Sequence, residues 1–239
     1  MNTFWQGLAE AVRLILQGDT ATFQALFLSL RVTFYALLVS SLLGFPLGIW
    51  LAFSKFRMKR LVMNVVFTFM GFPPVVAGLL VYLLLSRSGP LGYMQLLFTP
   101  TAMICAQIIL ALPVIIGLTY LGIQAVNHSV WELSYTLGAT RWQAGWMLFR
   151  ESRHAVLGAL ITAFGAAISE VGAAMLVGGN IEGFTRSLTT SLMLETRQGN
   201  FARALALGLI LLFVSFVVNT VLVLYNQTQG MKHHARSLD

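Results

Sequence analysis

The sequence predicts an all-α integral membrane protein of about five transmembrane helices, with an N-terminal amphipathic helix ahead of them and a polar helical loop between the third and fourth. Two observations carry that prediction. Hydrophobic residues make up 57% of 239 positions and charged ones only 10%, with a mean hydropathy of +0.80, more apolar side chain than one soluble core of this length could hide. The apolar residues are also gathered in blocks of about twenty or more, the length that crosses a hydrocarbon layer of roughly 30 Å.

The opening residues, Asn2 to Gln17, set Phe4, Trp5, Leu8, Val12, Ile15 and Leu16 at helical spacing against Gln6, Glu10 and Arg13, so 1–25 reads as an interfacial helix. It is expected to be retained, because Glu10 interrupts the apolar run a signal peptide would need. The first span is placed at 26–53, with Arg31 snorkelling from its start and Gly44, Pro46 and Gly48 loosening it. The second, 61–85, contains Pro73 and Pro74. Adjacent prolines remove two backbone donors in lipid, so a bend facing a bundle or a watery cavity is expected there, with a simple packing kink as the alternative. The third span is placed at 101–126. The fourth, 155–177, is rich in small residues such as Gly158, Ala159, Ala163, Gly165 and Ala167, which allow close helix packing. A polar loop through residue 200 then leads to a fifth span at 201–225 and a tail at 227–239, the membrane domain as a whole running over 26–226.

Five spans put the ends on opposite sides. The tight cluster Lys55, Arg57, Lys59 and Arg60 after the first span then predicts an outer N-terminus and a cytoplasmic C-terminus. The net charge of +7 therefore reports membrane topology, and no basic stripe interleaved with aromatics suggests nucleic acid. Cys105 is the single cysteine, inside a span, and no Cys/His spacing would hold a metal.

The loop at 127–154 is too polar to span. Its centre reads Trp131-Glu132-Leu133-Ser134-Tyr135-Thr136-Leu137-Gly138-Ala139-Thr140-Arg141-Trp142. A short helix is expected to end at Gly138, where positive φ is allowed, and Thr140 to cap a second. Two such helices make a knob that can dock on another protein.

This stretch resembles the cytoplasmic coupling loop, or EAA loop, of bacterial and archaeal ATP-binding-cassette import permeases. Glu132 falls on the acidic position and Gly138 on the glycine, while Leu148-Phe149-Arg150-Glu151 stands where the family usually has Ile-x-Leu-Pro. A second pattern narrows the branch: Ser169-Glu170-Val171-Gly172-Ala173, then Gly178-Gly179-Asn180-Ile181, Gly183, and Thr185-Arg186-Ser187-Leu188-Thr189. With Pro73-Pro74, these resemble the sulfate, molybdate and tungstate importer permeases, and the continuation Glu195 to Phe201 looks most like the tungstate-type members.

The resemblance implies contact with the ATPase at Glu132, Leu137, Gly138, Ala139, Thr140, Arg141 and Trp142, and a path or gate at Pro73, Pro74, Glu170, Asn180, Thr185, Arg186 and Thr189. Glu170 would repel an anion, so it is expected to bond within the fold and hold the gate region rather than touch cargo. The hydroxyls and amides from Thr185 to Ser191, with Arg186, are the expected oxyanion donors. Arg186 as a solvated loop charge, or as a contact for a binding protein together with Arg197, stays open. The chain carries no Gly-x-x-x-x-Gly-Lys-Ser/Thr phosphate loop and so is not expected to be an enzyme. The implied assembly is a second copy of this chain, an ATPase dimer holding ATP and Mg²⁺, an extracytoplasmic binding protein and membrane lipid. The cargo would be tungstate ahead of molybdate or sulfate. An ion-coupled secondary transporter or channel is the other class considered.

Overall fold

The computed structural model describes residues 2–125 and 136–236, and among them every regular element is helical. In chain order these are α1 (Asn2–Leu16), α2 (Thr20–Phe53), α3 (Lys59–Met70), α4 (Pro74–Leu85), α5 (Pro100–Gln124), α6 (Arg141–Glu151), α7 (Arg153–Ile168), α8 (Gly172–Gly178), α9 (Leu188–Arg197) and α10 (Phe201–Arg236). Three helices, α2, α5 and α10, are each long and apolar enough to cross a membrane. The bent pairs α3–α4 and α7–α8 raise the number of candidate spans to five if each pair is one crossing.

The bends follow from local sequence. At the first, Gly71 ends α3, Pro73 holds an extended φ of −60° and ψ of 122°, and Pro74 opens α4 as its first residue, where a missing N–H costs nothing. The two helices meet at 100°. At the second, α7 and α8 are turned by 57° about residues 169–171. By contrast, the Gly44, Pro46 and Gly48 group does not loosen α2, which stays helical to Phe53. Its glycines serve close approach: a Cβ on Gly44 would stand 2.8 Å from Ile115 Cγ2, and one on Gly48 2.8 Å from Thr119 Cβ.

The chain forms two compact units. The first comprises Met1–Ala36, Phe72–Leu110 and Gly165–Val217; the second comprises Leu37–Gly71, Ala111–Phe164 and Val218–Asp239. In the first unit, α4 and α8 are pressed together. A Cβ on Gly78 would lie 2.6 Å from Ala173 Cα, so only glycine admits the contact. Around it Val32, Val81, Leu85, Ala102, Met103, Ala106, Ala174 and Val177 form the core. The apolar stripe of α1 packs Ala11 and Leu14 with Ala206, Leu207 and Ile210 of α10. That helix stops at Leu16, and residues 20–25 belong to the first turns of α2 instead. Asp19 sets this boundary, its Oδ2 accepting from Thr22 N at 2.9 Å and Thr22 Oγ1 at 2.5 Å.

In the second unit, α6 lays Leu148 against Ile49, Ala52 and Ile123 at the ends of α2 and α5. The last carbonyls of α2 are satisfied there by side chains: Ala52 O accepts from Lys59 Nζ and from Gln124 Nε2, each at 3.1 Å. Two further lengths differ from those read in sequence. Residues 188–197, expected as loop, form α9, and α10 continues as far as Arg236.

Candidate functional site

The two helix breaks of the first unit start side by side. A Cβ on Gly172 would meet Val75 Cγ2 at 2.7 Å and Glu170 Oε1 at 3.4 Å, so the Pro73-Pro74 corner and the Glu170 corner adjoin. Glu170 is 9% exposed. Its Oε1 accepts from Ala173 N at 2.7 Å, which gives the first turn of α8 an acceptor it would otherwise lack. A carboxylate at the start of a helix also faces the positive end of its dipole.

Neighbouring helices hold the same break from both sides. Gln107 of α5, 6% exposed, donates from Nε2 to Ala167 O at 2.9 Å near the end of α7. Thr189 Oγ1 of α9 donates to Glu170 O at 2.9 Å. The start of α9 is tied in turn to α2, since Leu188 N donates to Ser29 Oγ at 2.9 Å. A continuous polar chain thus runs from Ser29 through α9 to Glu170 and into α8. Gln107 and Ser29 were not singled out by sequence reasoning. A lone long amide in the middle of an apolar span was the available signal for Gln107, because an uncapped amide is costly in lipid.

The hydroxyl run is committed inward. Thr185 Oγ1 donates to Gly178 O at 2.5 Å and accepts from Ile181 N at 3.0 Å. Ser187 and Thr190 form a reciprocal capping box at the start of α9, and Ser187 Oγ also lies 2.9 Å from Thr189 Oγ1. Of the motif read as a set of oxyanion donors, the hydroxyls of Thr185, Ser187, Thr189 and Thr190 are therefore, in this conformation, already bonded within the fold. Arg186 is partly buried, its Nη1 2.9 Å from Glu182 Oε2, with Asn180 beside it in the left-handed region at φ 52°.

Asp19, Glu195 and Arg203 link three elements: Arg203 lies 3.5 Å from Asp19 Oδ2 and 3.3 Å from Glu195 Oε1. The Thr22 hydroxyl holds the Asp19 carboxyl below the usual carboxylate range; partial burial opposes this, while the Thr22 N–H and Arg203 add to it.

In the second unit lies the turn at 137–140. Gly138 takes φ 78°, and Thr140 caps α6 through a reciprocal box with Gln143. Leu137 is 75% exposed and nothing stands within 4 Å of a Cβ built on Gly138, so the turn projects. Ala139 lies in that turn and Arg141 and Trp142 open α6; Glu132 lies outside the described residues.

Comparison with known proteins agrees with this architecture. The family profile described as binding-protein-dependent transport system inner membrane component matches residues 44–229. A tungstate uptake system permease protein, TupB, of Peptoclostridium acidaminophilum is 42% identical over 91% of this chain and 95% of its own. A probable anion ABC transporter permease protein of Haloferax volcanii is 44% identical over 81% and 85% of the two chains. TupB of Campylobacter jejuni is 36% identical over 92% of each. In structure, an amino acid ABC transporter crystallised with histidines aligns with TM-score 0.66 and 19% identity over 90% of this chain and 96% of that one, a likeness of fold alone. With the profile covering most of its length and two full-length relatives above a third identity, the chain belongs to the binding-protein-dependent inner membrane components, the permease subunits of ATP-binding-cassette importers.

Proposed function

We propose that this permease carries a small tetrahedral oxyanion inward by alternating access, with tungstate the first candidate and molybdate or sulfate after it. The observation that carries the reading is the likeness, over nine tenths of the chain, to permeases named for tungstate uptake. More distant likeness to sulfate and molybdenum permeases, 27% and 26% identical, supports the same class of ion. The adjoining breaks at Pro73-Pro74 and Glu170 suit a gate, because broken helices can turn about their joints without unfolding. Glu170 then works by holding α8 rather than by meeting the anion.

The projecting turn at Leu137-Gly138-Ala139-Thr140 is the proposed contact with a cytoplasmic ATPase dimer, which would bind ATP and Mg²⁺. Arg141 and Trp142 follow it in α6, and Glu132 precedes it in the sequence and is proposed to share the contact. A second copy of this chain would complete the pathway. On the open face of α7, Gly158 and Gly165 have nothing within 4 Å of an added Cβ, which leaves room for a closely packed neighbour. A binding protein would deliver the ion on the outer side, where the N-terminus is proposed to lie. Ion-coupled transport gains no support, since the Glu170 carboxylate is occupied by a backbone donor.

The test is uptake by proteoliposomes holding this chain, its ATPase and its binding protein, with tungstate, molybdate, sulfate and phosphate supplied separately. Tungstate accumulation that requires ATP and the ATPase is expected. Accumulation driven by an ion gradient without ATP would replace the reading.

A further inference from the structure

A cavity of about 500 Å³ lies within the first unit, walled by the first turns of α2, the loop before α9, α9 itself and the start of α10. Three arginines line it, Arg31, Arg186 and Arg203, together with Gln24, Ser191 and Gln198. Two carboxylates, Glu182 and Glu195, line it as well. They are engaged: Glu182 pairs with Arg186 at 2.9 Å, and Glu195 with Arg203 at 3.3 Å. Arg31 has no hydrogen bond or ion pair among the described residues, and the Nε of Arg186 is buried without a hydrogen-bond partner.

We propose that this cavity binds a tetrahedral oxyanion, with Arg31 as its principal ligand and Gln24 and Gln198 as amide donors. The inference rests on the oxyanion reading above and gives it a place. Three facts argue for it. Arg31 is the twelfth residue of α2, about 16 Å along the helix, which leaves the 22 residues after it, about 33 Å, to cross the hydrocarbon. An unpaired guanidinium at that boundary is placed to meet ions from water. Its planar fork matches the oxygens of a tetrahedral anion two at a time. Finally, Glu182, Glu195 and Asp19 offset the charge of the arginines, so a doubly charged ion would be held without being trapped.

The cavity also touches the machinery of the gate. Ser191 belongs to α9 and Gln198 caps its end, and the first turn of α9 bonds Glu170 through Thr189 and Ser29 through Leu188. An ion drawn against Arg31 and α9 therefore pulls on the helix that pins the Glu170 break.

The same chemistry could come from a dissolved ion or from a phospholipid headgroup, and equilibrium binding of radiolabelled tungstate to the permease–ATPase complex in nanodiscs separates them. In phosphatidylcholine, wild type is expected to bind tungstate, Arg31→Gln to bind at least tenfold more weakly, and Arg31→Lys to fall between. Gln24→Glu, which keeps the arginine but adds a repelling charge, should weaken binding similarly. Co-elution of permease and ATPase checks that each variant assembles. Binding unchanged by a quarter of phosphatidylglycerol assigns the cavity to the soluble ion; binding suppressed by it assigns the cavity to the lipid phosphate. Assembled variants that bind as wild type does, or wild type that binds nothing, overturn the site. Uptake distinguishes the two readings: ATP-driven tungstate uptake without Arg31-dependent binding removes this site alone, whereas failure to transport any oxyanion removes the cargo assignment.

Discussion

The hydrogen bond from Ala173 N makes the side-chain oxygen of Glu170, more than its charge, the expected source of its role. Glu170→Gln keeps an acceptor for Ala173 N, so it should assemble and melt close to wild type. Glu170→Leu leaves that N–H without a partner, a loss of about 1–3 kcal/mol. Thermal unfolding in detergent compares the two, and equal melting would remove the capping role. Asp19 carries the pH dependence. Its carboxyl is held below its ordinary value in the folded protein, so its contribution is complete above the unfolded pKa and is lost as pH falls through the folded one. Acidification below about pH 4 should lower the melting temperature of wild type more than that of Asp19→Asn. Sequence reasoning recognised Glu170 because an acid in an apolar span stands out. It missed Gln107 and Ser29, whose importance lies in partners 60 and 159 residues away.

At the scale of elements, two glycines make opposite demands. Gly138 has space for a side chain but a φ of 78°, so Gly138→Ala should cost about 1–2 kcal/mol locally and leave the membrane helices unchanged. If its turn meets the ATPase as proposed, Gly138→Asp should abolish stimulation of ATP hydrolysis in an assembled complex; normal stimulation would count against the contact. Gly78 has ordinary helical geometry but no space. Gly78→Val would force α4 from α8 and should prevent stable insertion or lower the melting temperature by many degrees, read by yield and unfolding in detergent. The spans were legible because lipid demands long apolar runs, and the bend at Pro73-Pro74 because proline lacks a donor. Helix α9 was not: Ser187 and Thr190 fit a capping box and an anion cradle equally well in sequence, and only the bonds they make distinguish the two.

For the whole molecule, the polar chain from Ser29 through Leu188 and Thr189 to Glu170 and Ala173 joins three helices of one unit, with no backbone-to-backbone hydrogen bond between those helices among the described residues. The amides of Leu188 and Ala173 belong to helix starts, yet each is held by the side chain of a residue outside its own helix. A turn about the Glu170 joint would release those two protons while the helices themselves remain wound. Deuterium would then enter at these two positions at the rate at which the pathway opens, independently of global unfolding. If that joint is the gate as proposed, these two protons would time its opening.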